Sequence, residues 1–137
     1  MALTHLVDTS VLTRLARAEV RAAIQPRARR GELARAGISD LEVGYSARST
    51  PEWDRLATAL ELFELVDTTT EHIRRAKQVQ RLLASKHQRG RKVPDLLIAA
   101  AAEARGLIVL HYDADFDRIA AVTGQHSEWI VPAGSID

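Results

Sequence analysis

The sequence contains no cysteine. That excludes a disulfide scaffold, a thiolate metal site and a cysteine nucleophile, and leaves the chain indifferent to the redox state around it. Aromatic residues are scarce, two each of Trp, Tyr and Phe, too few for the stacking platforms that hold single-stranded bases by their faces. A dominant charge is missing as well. The 19 Lys and Arg face 18 Asp and Glu, for a net charge of +1, so bulk attraction to a polyanion is absent and any nucleic-acid recognition must be local. The most apolar segment, Leu96 to Ala102, falls far short of the roughly 18–20 residues that span a bilayer. The N-terminal MALTHLVDTS lacks the cationic flank and apolar stretch of an export signal. The expectation is a cytoplasmic chain with no membrane contact.

What is present is ordinary globular composition. With 46% hydrophobic and 27% charged residues over 137 positions, the chain is too apolar for disorder and long enough for one real core. We expect a single domain over residues 1–137, with no internal repeat, low-complexity tract or linker.

Short apolar runs alternate with helical spacing. Leu3–Val7 predicts a strand and Ser10–Ala18 a helix through Val11, Leu12 and Leu15. The basic stretch Gln25–Arg35, broken by Pro26 and Gly31, predicts a loop or helix end, and Leu33–Ile38 a second strand before Ser39 opens a helix. A helix follows Pro51 with Leu56, Ala59, Leu60 and Phe63 on one stripe, and Leu65–Val66 makes a minor strand. Thr70 caps the next helix, whose inner face is expected to carry Ile73, Ala76, Val79 or Gln80, and Leu83 before the polar stretch Ser85–Lys92. Val93 and Pro94 open a nearly all-apolar, hence buried, helix over Asp95–Ala104, closed by Gly106. Leu107–Leu110 reads as a buried strand, Asp115–Val122 as a helix closed by Gly124, and Trp129–Val131 as a last strand. Strands separated by helices, without tight hairpin signals, predict an α/β three-layer sandwich: a mostly parallel central sheet with helices on both faces. Function in such sheets sits at the carboxyl ends of the strands.

Acidic residues fall at that edge. Asp8 follows the first strand and Asp113 the run Leu107–Tyr112, while Glu42 and Asp95 sit near the starts of helices. Asp115 and Asp117 lie beside Asp113. Singly, each acid has a structural explanation: Asp8 or Asp113 caps a helix, Ser39-Asp40-Leu41-Glu42 reads as a capping box, and Asp95 faces a helix dipole. A cap needs only one acid, however, and carboxylates about 4 Å apart repel by roughly 4 kcal/mol per pair at an effective dielectric of 20. A hard divalent cation relieves that repulsion. Oxygen ligands without Cys, and five histidines without metal-ligand spacing, favour Mg²⁺ or Mn²⁺ over structural zinc.

These motifs, in this order, give the chain its resemblance to the PIN-domain ribonucleases, and among them to the VapC-type toxins of toxin-antitoxin modules. It rests on Asp8-Thr9-Ser10 after the first strand, Ile38-Ser39-Asp40-Leu41-Glu42, Val93-Pro94-Asp95 with the apolar helix behind it, and Asp113-Ala114-Asp115-Phe116. By that resemblance the catalytic acids are Asp8, Glu42, Asp95 and Asp113, with the metal on Asp8, Asp95 and Asp113. Asp115 and Asp117 are accessory acids, and Ser10 orients the first aspartate. The implied activity is Mg²⁺-dependent endonucleolytic hydrolysis of RNA, with Mn²⁺ as a substitute, leaving 5′-phosphate and 3′-hydroxyl ends. The implied partners are RNA, a cognate antitoxin and a second copy of the chain, in a homodimer and a toxin-antitoxin hetero-oligomer. One departure is His111, where many relatives carry Thr or Ser; it either holds a carboxylate or packs.

An acidic pocket repels a phosphate backbone unless cations flank it. Arg91 and Lys92, adjoining Asp95, are the expected RNA-binding residues, with Arg27, Arg29, Arg30, Lys86 and Arg89 as further candidates. The alternative is a catalytically silent PIN-like module that binds RNA or a partner without cutting. A phosphotransfer domain is disfavoured, because Asp8-Thr9-Ser10 lacks a second acid and no Lys follows a late strand.

Overall fold

The computed structural model describes residues 2–88 and 92–137. The elements run β1 (His5–Val7), α1 (Thr9–Leu12), α2 (Ala18–Arg29), β2 (Leu33–Ala36), α3 (Gly37–Tyr45), α4 (Thr50–Leu60) and β3 (Glu64–Val66). They continue with α5 (Thr70–Ser85), α6 (Val93–Arg105), β4 (Ile108–His111), α7 (Asp115–Thr123) and β5 (Ser127–Trp129). All five strands are parallel, in the order β3-β2-β1-β4-β5. Parallel pairing requires a crossover between strands, which is why helices separate them in sequence.

Side chains alternate across the sheet, and the two faces bury different sets. Leu6, Ala34 and Val109 join Ala76, Val79, Leu83, Ile98 and Ala102 in one core. Val7, Leu33 and Leu110 join Val11, Val20, Ile24, Leu60 and Phe63 in the other. The three central strands β1, β2 and β4 therefore supply apolar side chains to both sides, as a sheet covered on both faces demands. The α/β sandwich with helices on both faces holds.

Local differences have physical causes. Asp8 caps α1 through Ser10 N, so that helix starts at Thr9; it ends at Leu12, capped by Thr13, whose hydroxyl turns back to the Thr9 carbonyl at 3.1 Å. The single helix expected over Ser10–Ala18 is thus two elements. Conversely, α2 runs straight through Pro26. Val20 and Ile24 are buried beneath it, and burying two aliphatic side chains at about 1.5–3 kcal/mol each matches or exceeds the roughly 3 kcal/mol of a helical proline. The strand expected over Leu33–Ile38 stops at Ala36, because α3 starts at Gly37 without a side-chain cap. Thr69, not Thr70, caps α5, in a reciprocal box with His72. That box turns His72 inward and sets the buried stripe to His72, Ala76, Val79 and Leu83, leaving Ile73 49% exposed. The last strand shifts to Ser127–Trp129, which aligns Trp129 with His111 on β4.

Among the described residues, no helix is long and apolar enough to cross a membrane.

Candidate functional site

The chain leaves β1 towards β2 on one side and later returns to place β4 on the other. A strand order that reverses opens a crevice at the carboxyl ends of the two central strands. Asp8 immediately follows β1, and Asp113 lies two residues beyond β4. The backbone N–H of Asp8 donates to the Leu110 carbonyl at 2.9 Å, tying the two strand ends together. Asp95 comes from the first turn of α6, where Pro94 supplies the pre-set helix start. Glu42 comes from α3.

These elements enclose a pocket of about 230 Å³ lined by Asp8, Thr9, Ser10, Thr13, Arg14, Glu42, Lys92, Asp95, Tyr112 and Asp113. The four acids read from the sequence therefore meet. Asp95, Asp113 and Asp115 each offer an oxygen within 4.8 Å of the other two. Asp8 is buried, with Oδ2 accepting from Ser10 N at 2.9 Å; among the described residues, its Oδ1 and the Asp95 Oδ2 are buried without a hydrogen-bond partner. Burial raises the Asp8 carboxyl above its ordinary range, opposed by the Ser10 and Thr9 hydrogen bonds and reinforced by Asp113. Asp95 is pushed up to about 7, first by burial and then by the charges of Asp8 and Asp113.

The supporting polar groups are well connected. Thr9 Oγ1 lies 2.7 Å from Glu42 Oε1 and 2.8 Å from Ser39 Oγ. A hydroxyl has one proton. A carboxylate is the stronger acceptor, so Thr9 donates to Glu42 and the fully buried Ser39 donates to Thr9. Ser39 thus steadies Glu42 and is no helix cap. Because removing an outer hydrogen bond to a functional group typically costs 10–100-fold, Thr9→Val is expected to lower the rate of the site's reaction by about tenfold while the protein still folds, with a lowered melting temperature because the buried Ser39 hydroxyl loses its acceptor, measured by steady-state kinetics and thermal unfolding. Ser10 serves both strand ends: besides its side-chain and backbone hydrogen bonds to Asp8, its Oγ accepts from Tyr112 N at 2.8 Å.

His111 packs. It is fully buried, 5.1 Å from the Phe116 ring and 5.0 Å from that of Trp129, and burial lowers its pKa. Its Nδ1 accepts from Asp113 N at 3.2 Å, so the ring holds backbone rather than a carboxylate. Asp113 Oδ1 in turn accepts from Asp115 N at 2.9 Å. Asp117 does not line the pocket; its Oδ2 accepts from Trp129 Nε1 at 3.2 Å.

Of the candidate cations, Lys92 reaches the pocket, with Nζ 3.4 Å from Asp113 Oδ2 and its pKa raised by that carboxylate. Arg27 is paired with Glu128 at 3.0 Å and Arg30 with Glu32 at 3.1 Å. Arg89 and Arg91 lie outside the described residues. Sequence reading missed Arg14 as a pocket residue. Its only signal was its place four positions after Ser10, one helical turn on, pointing back at the same site.

The pocket suits a hard divalent cation, since two orphaned carboxylate oxygens and three converging carboxylates demand positive charge, and an all-oxygen donor set selects for such an ion. The PIN domain family pattern matches residues 5–122. The chain is 64% identical over 137 residues to Ribonuclease VapC51 of Mycobacterium tuberculosis, covering 100% of both. It is 44% identical to Ribonuclease VapC21 of the same species, over 98% of this chain and 99% of that one. Among solved structures, VapBC2 from Rickettsia felis bound to a promoter DNA fragment superposes with a TM-score of 0.78 at 18% identity, covering 94% of this chain and 98% of that one. VapBC-5 from Mycobacterium tuberculosis, described as a member of the VapBC family of toxin-antitoxin systems, gives 0.63 at 27% identity over 96% and 98%.

Proposed function

Because the chain belongs to the PIN-domain family, and its sequence relatives there are VapC ribonucleases, we propose that it is the toxin of a toxin-antitoxin pair and a Mg²⁺-dependent endoribonuclease. Mn²⁺ is the expected substitute. The observation that carries this reading is the meeting of Asp8, Glu42, Asp95 and Asp113 in one pocket at the reversal of strand order. Residues 1–137 act as one nuclease domain.

Asp8, Asp95 and Asp113 would hold the cation, with Asp115 beside them. Bound there, a divalent ion supplies neutralisation of phosphate charge and acidification of water. Glu42, oriented by Thr9, would accept a proton from the attacking water. Lys92, and Arg91 next to it in sequence, would draw the backbone in, Lys92 exchanging its Asp113 contact for a phosphate. Attack by water, not by the ribose 2′-hydroxyl, leaves a 5′-phosphate and a 3′-hydroxyl.

For partners, the structure leaves large apolar side chains in water: Leu41, Tyr45 and Trp53 on α3 and α4, and Ile73 and Val93 beside a groove between α5 and α6. Apolar surface of this kind fits protein contacts, in keeping with an antitoxin and a second copy of the chain. The reading places the protein in the cytoplasm, where RNA is found.

Incubation of the protein with a structured RNA tests the proposal. Cleavage is expected with Mg²⁺ and none with EDTA, and the products should be ligated through their 5′-phosphates to a 3′-hydroxyl acceptor strand. Undiminished cleavage in EDTA, or products with cyclic phosphate ends, would exclude the metal mechanism. Binding without any cleavage would favour the silent module.

A further inference from the structure

The chemistry above leaves Arg17 and Asp137 unused and gives Arg14 no role beyond forming a wall of the pocket. Arg14 Nη1 donates to the Ser10 carbonyl at 2.6 Å and its Nε to the Asp137 backbone oxygen at 2.9 Å, with the guanidinium 5.1 Å from the centre of the Tyr112 ring. Arg17 Nη1 is ion-paired with the Asp137 carboxylate. Two guanidiniums three positions apart thus converge on the oxygens of one residue at the rim of the acidic pocket.

That residue is not needed to hold its own segment down. Ile136 is buried at 9% exposure, and its N–H donates to the Tyr112 hydroxyl at 3.0 Å. The Asp137 side chain is 88% exposed, and an ion pair so open to water contributes little to stability. Arginine forks match phosphate as well as carboxylate and grip either through two parallel hydrogen bonds. A single strand that lays one phosphate among the acids must pass its neighbour over the rim, and Arg14 lines both places.

We propose that Arg14 and Arg17 seat a backbone phosphate of the RNA next to the one cleaved, and that the Asp137 carboxylate fills this seat until RNA displaces it. The inference rests on the RNA-cleaving reading of the pocket, and its test is kept separate from cleavage. Binding of a fluorescein-labelled RNA hairpin is followed by anisotropy from 50 to 300 mM salt in Mg²⁺. The protein carries Asp95→Asn to prevent cutting, and RNA integrity is checked on a gel. Cut RNA there would count against the catalytic assignment, not against the seat.

In that background, Arg14→Gln with Arg17→Gln is expected to weaken binding about tenfold and to flatten the slope of log K against log salt by about one, the loss of one phosphate contact. Arg17→Gln alone, at a half-exposed position, should show part of the loss and keeps the test open if Arg14→Gln disturbs folding. Asp137→Asn should tighten binding about two- to fivefold, whereas Asp54→Asn, an exposed acid on α4, should not. An unchanged salt slope in the arginine variants, equal tightening by Asp54→Asn, no tightening by Asp137→Asn, or no RNA binding by the parent would overturn the proposal.

Discussion

Replacing Asp113 or Asp95 with asparagine is expected to lower metal-dependent RNA cleavage by about 10³-fold while the fold survives. Neutralising a developing charge with a divalent ion is worth several kcal/mol, and about 4 kcal/mol corresponds to roughly three decades of rate at 1.36 kcal/mol per decade. Asparagine keeps the shape but offers one neutral oxygen where the cation needs a charged one. Both positions belong to the group whose oxygens lie within 4.8 Å of one another, so either change weakens ion binding as well. Titration calorimetry with Mn²⁺ should show the affinity falling in parallel with the rate. Asp117→Asn provides the comparison. Its carboxylate is engaged by Trp129 outside the pocket lining, and a loss within about threefold is expected. Near wild-type cleavage by Asp95→Asn would remove the carboxylate mechanism.

The second large effect is on stability, and it runs opposite to the usual behaviour of acids. In EDTA, the protein is expected to lose stability as the pH rises from about 4 to about 7. An unfolded aspartate titrates near 3.9, whereas Asp95 in the folded chain titrates at about 7, driven up by burial and by Asp8 and Asp113. Between those values the folded state holds a proton that the unfolded state has released, so raising the pH favours unfolding. Asp8 is shifted in the same direction. Three pKa units correspond to about 4 kcal/mol, on the order of 10 °C in melting temperature for a domain of this size. Glu128, whose pKa is lowered with hydrogen bonds from His5 and Arg27 outweighing its burial, acts with the opposite sign. Its contribution is lost only as the pH falls through the carboxylate range, and so leaves the interval from 5 to 7 untouched. His111, whose pKa burial lowers, opposes the fall inside that interval, because the unfolded imidazole takes up a proton near 6.5 that the folded ring refuses. Scanning calorimetry at pH 5, 6 and 7 should therefore show a falling melting temperature. Asp95→Asn should flatten the fall, and saturating Mn²⁺ at pH 7 should reverse it. A pH dependence in EDTA that Asp95→Asn leaves unchanged would show that Asp95 is not held protonated.

The two predictions describe one trade. A cluster of carboxylates that destabilises the chain by itself is tolerated because an ion turns the repulsion into binding, the pattern expected where function and stability compete. Two of the acids also retain a local role, which is why single residues were ambiguous in the sequence. Asp8 caps α1 and Asp113 closes the turn onto Asp115 while both line the pocket.

Legibility followed the range of the interactions involved. Strand and helix identity could be read because hydrophobic spacing and the Pro94 and Gly106 punctuation act over a few residues. Boundaries slipped wherever a side chain chose a partner that spacing does not reveal. His72 turned back to Thr69 and rotated α5 by one position, leaving Ile73 in water. Ser39, read as a cap, went instead to Thr9, thirty positions away. Arg27 and Arg30, read as cations for a polyanion, were taken up by Glu128 and Glu32.

The sequence by itself determined the α/β alternation, the two-sided burial of the strands and the choice of an acidic, oxygen-only site, because these follow from residue type and short-range periodicity. Only the tertiary structure decided that β1 and β4 lie side by side, that Thr9 and Ser39 hold Glu42, and that Arg14 and Arg17 meet Asp137 at the pocket rim. Such contacts join residues up to 123 positions apart. Their geometry is set by how parallel strands stack and by which face each helix buries, and no local pattern in the chain encodes that.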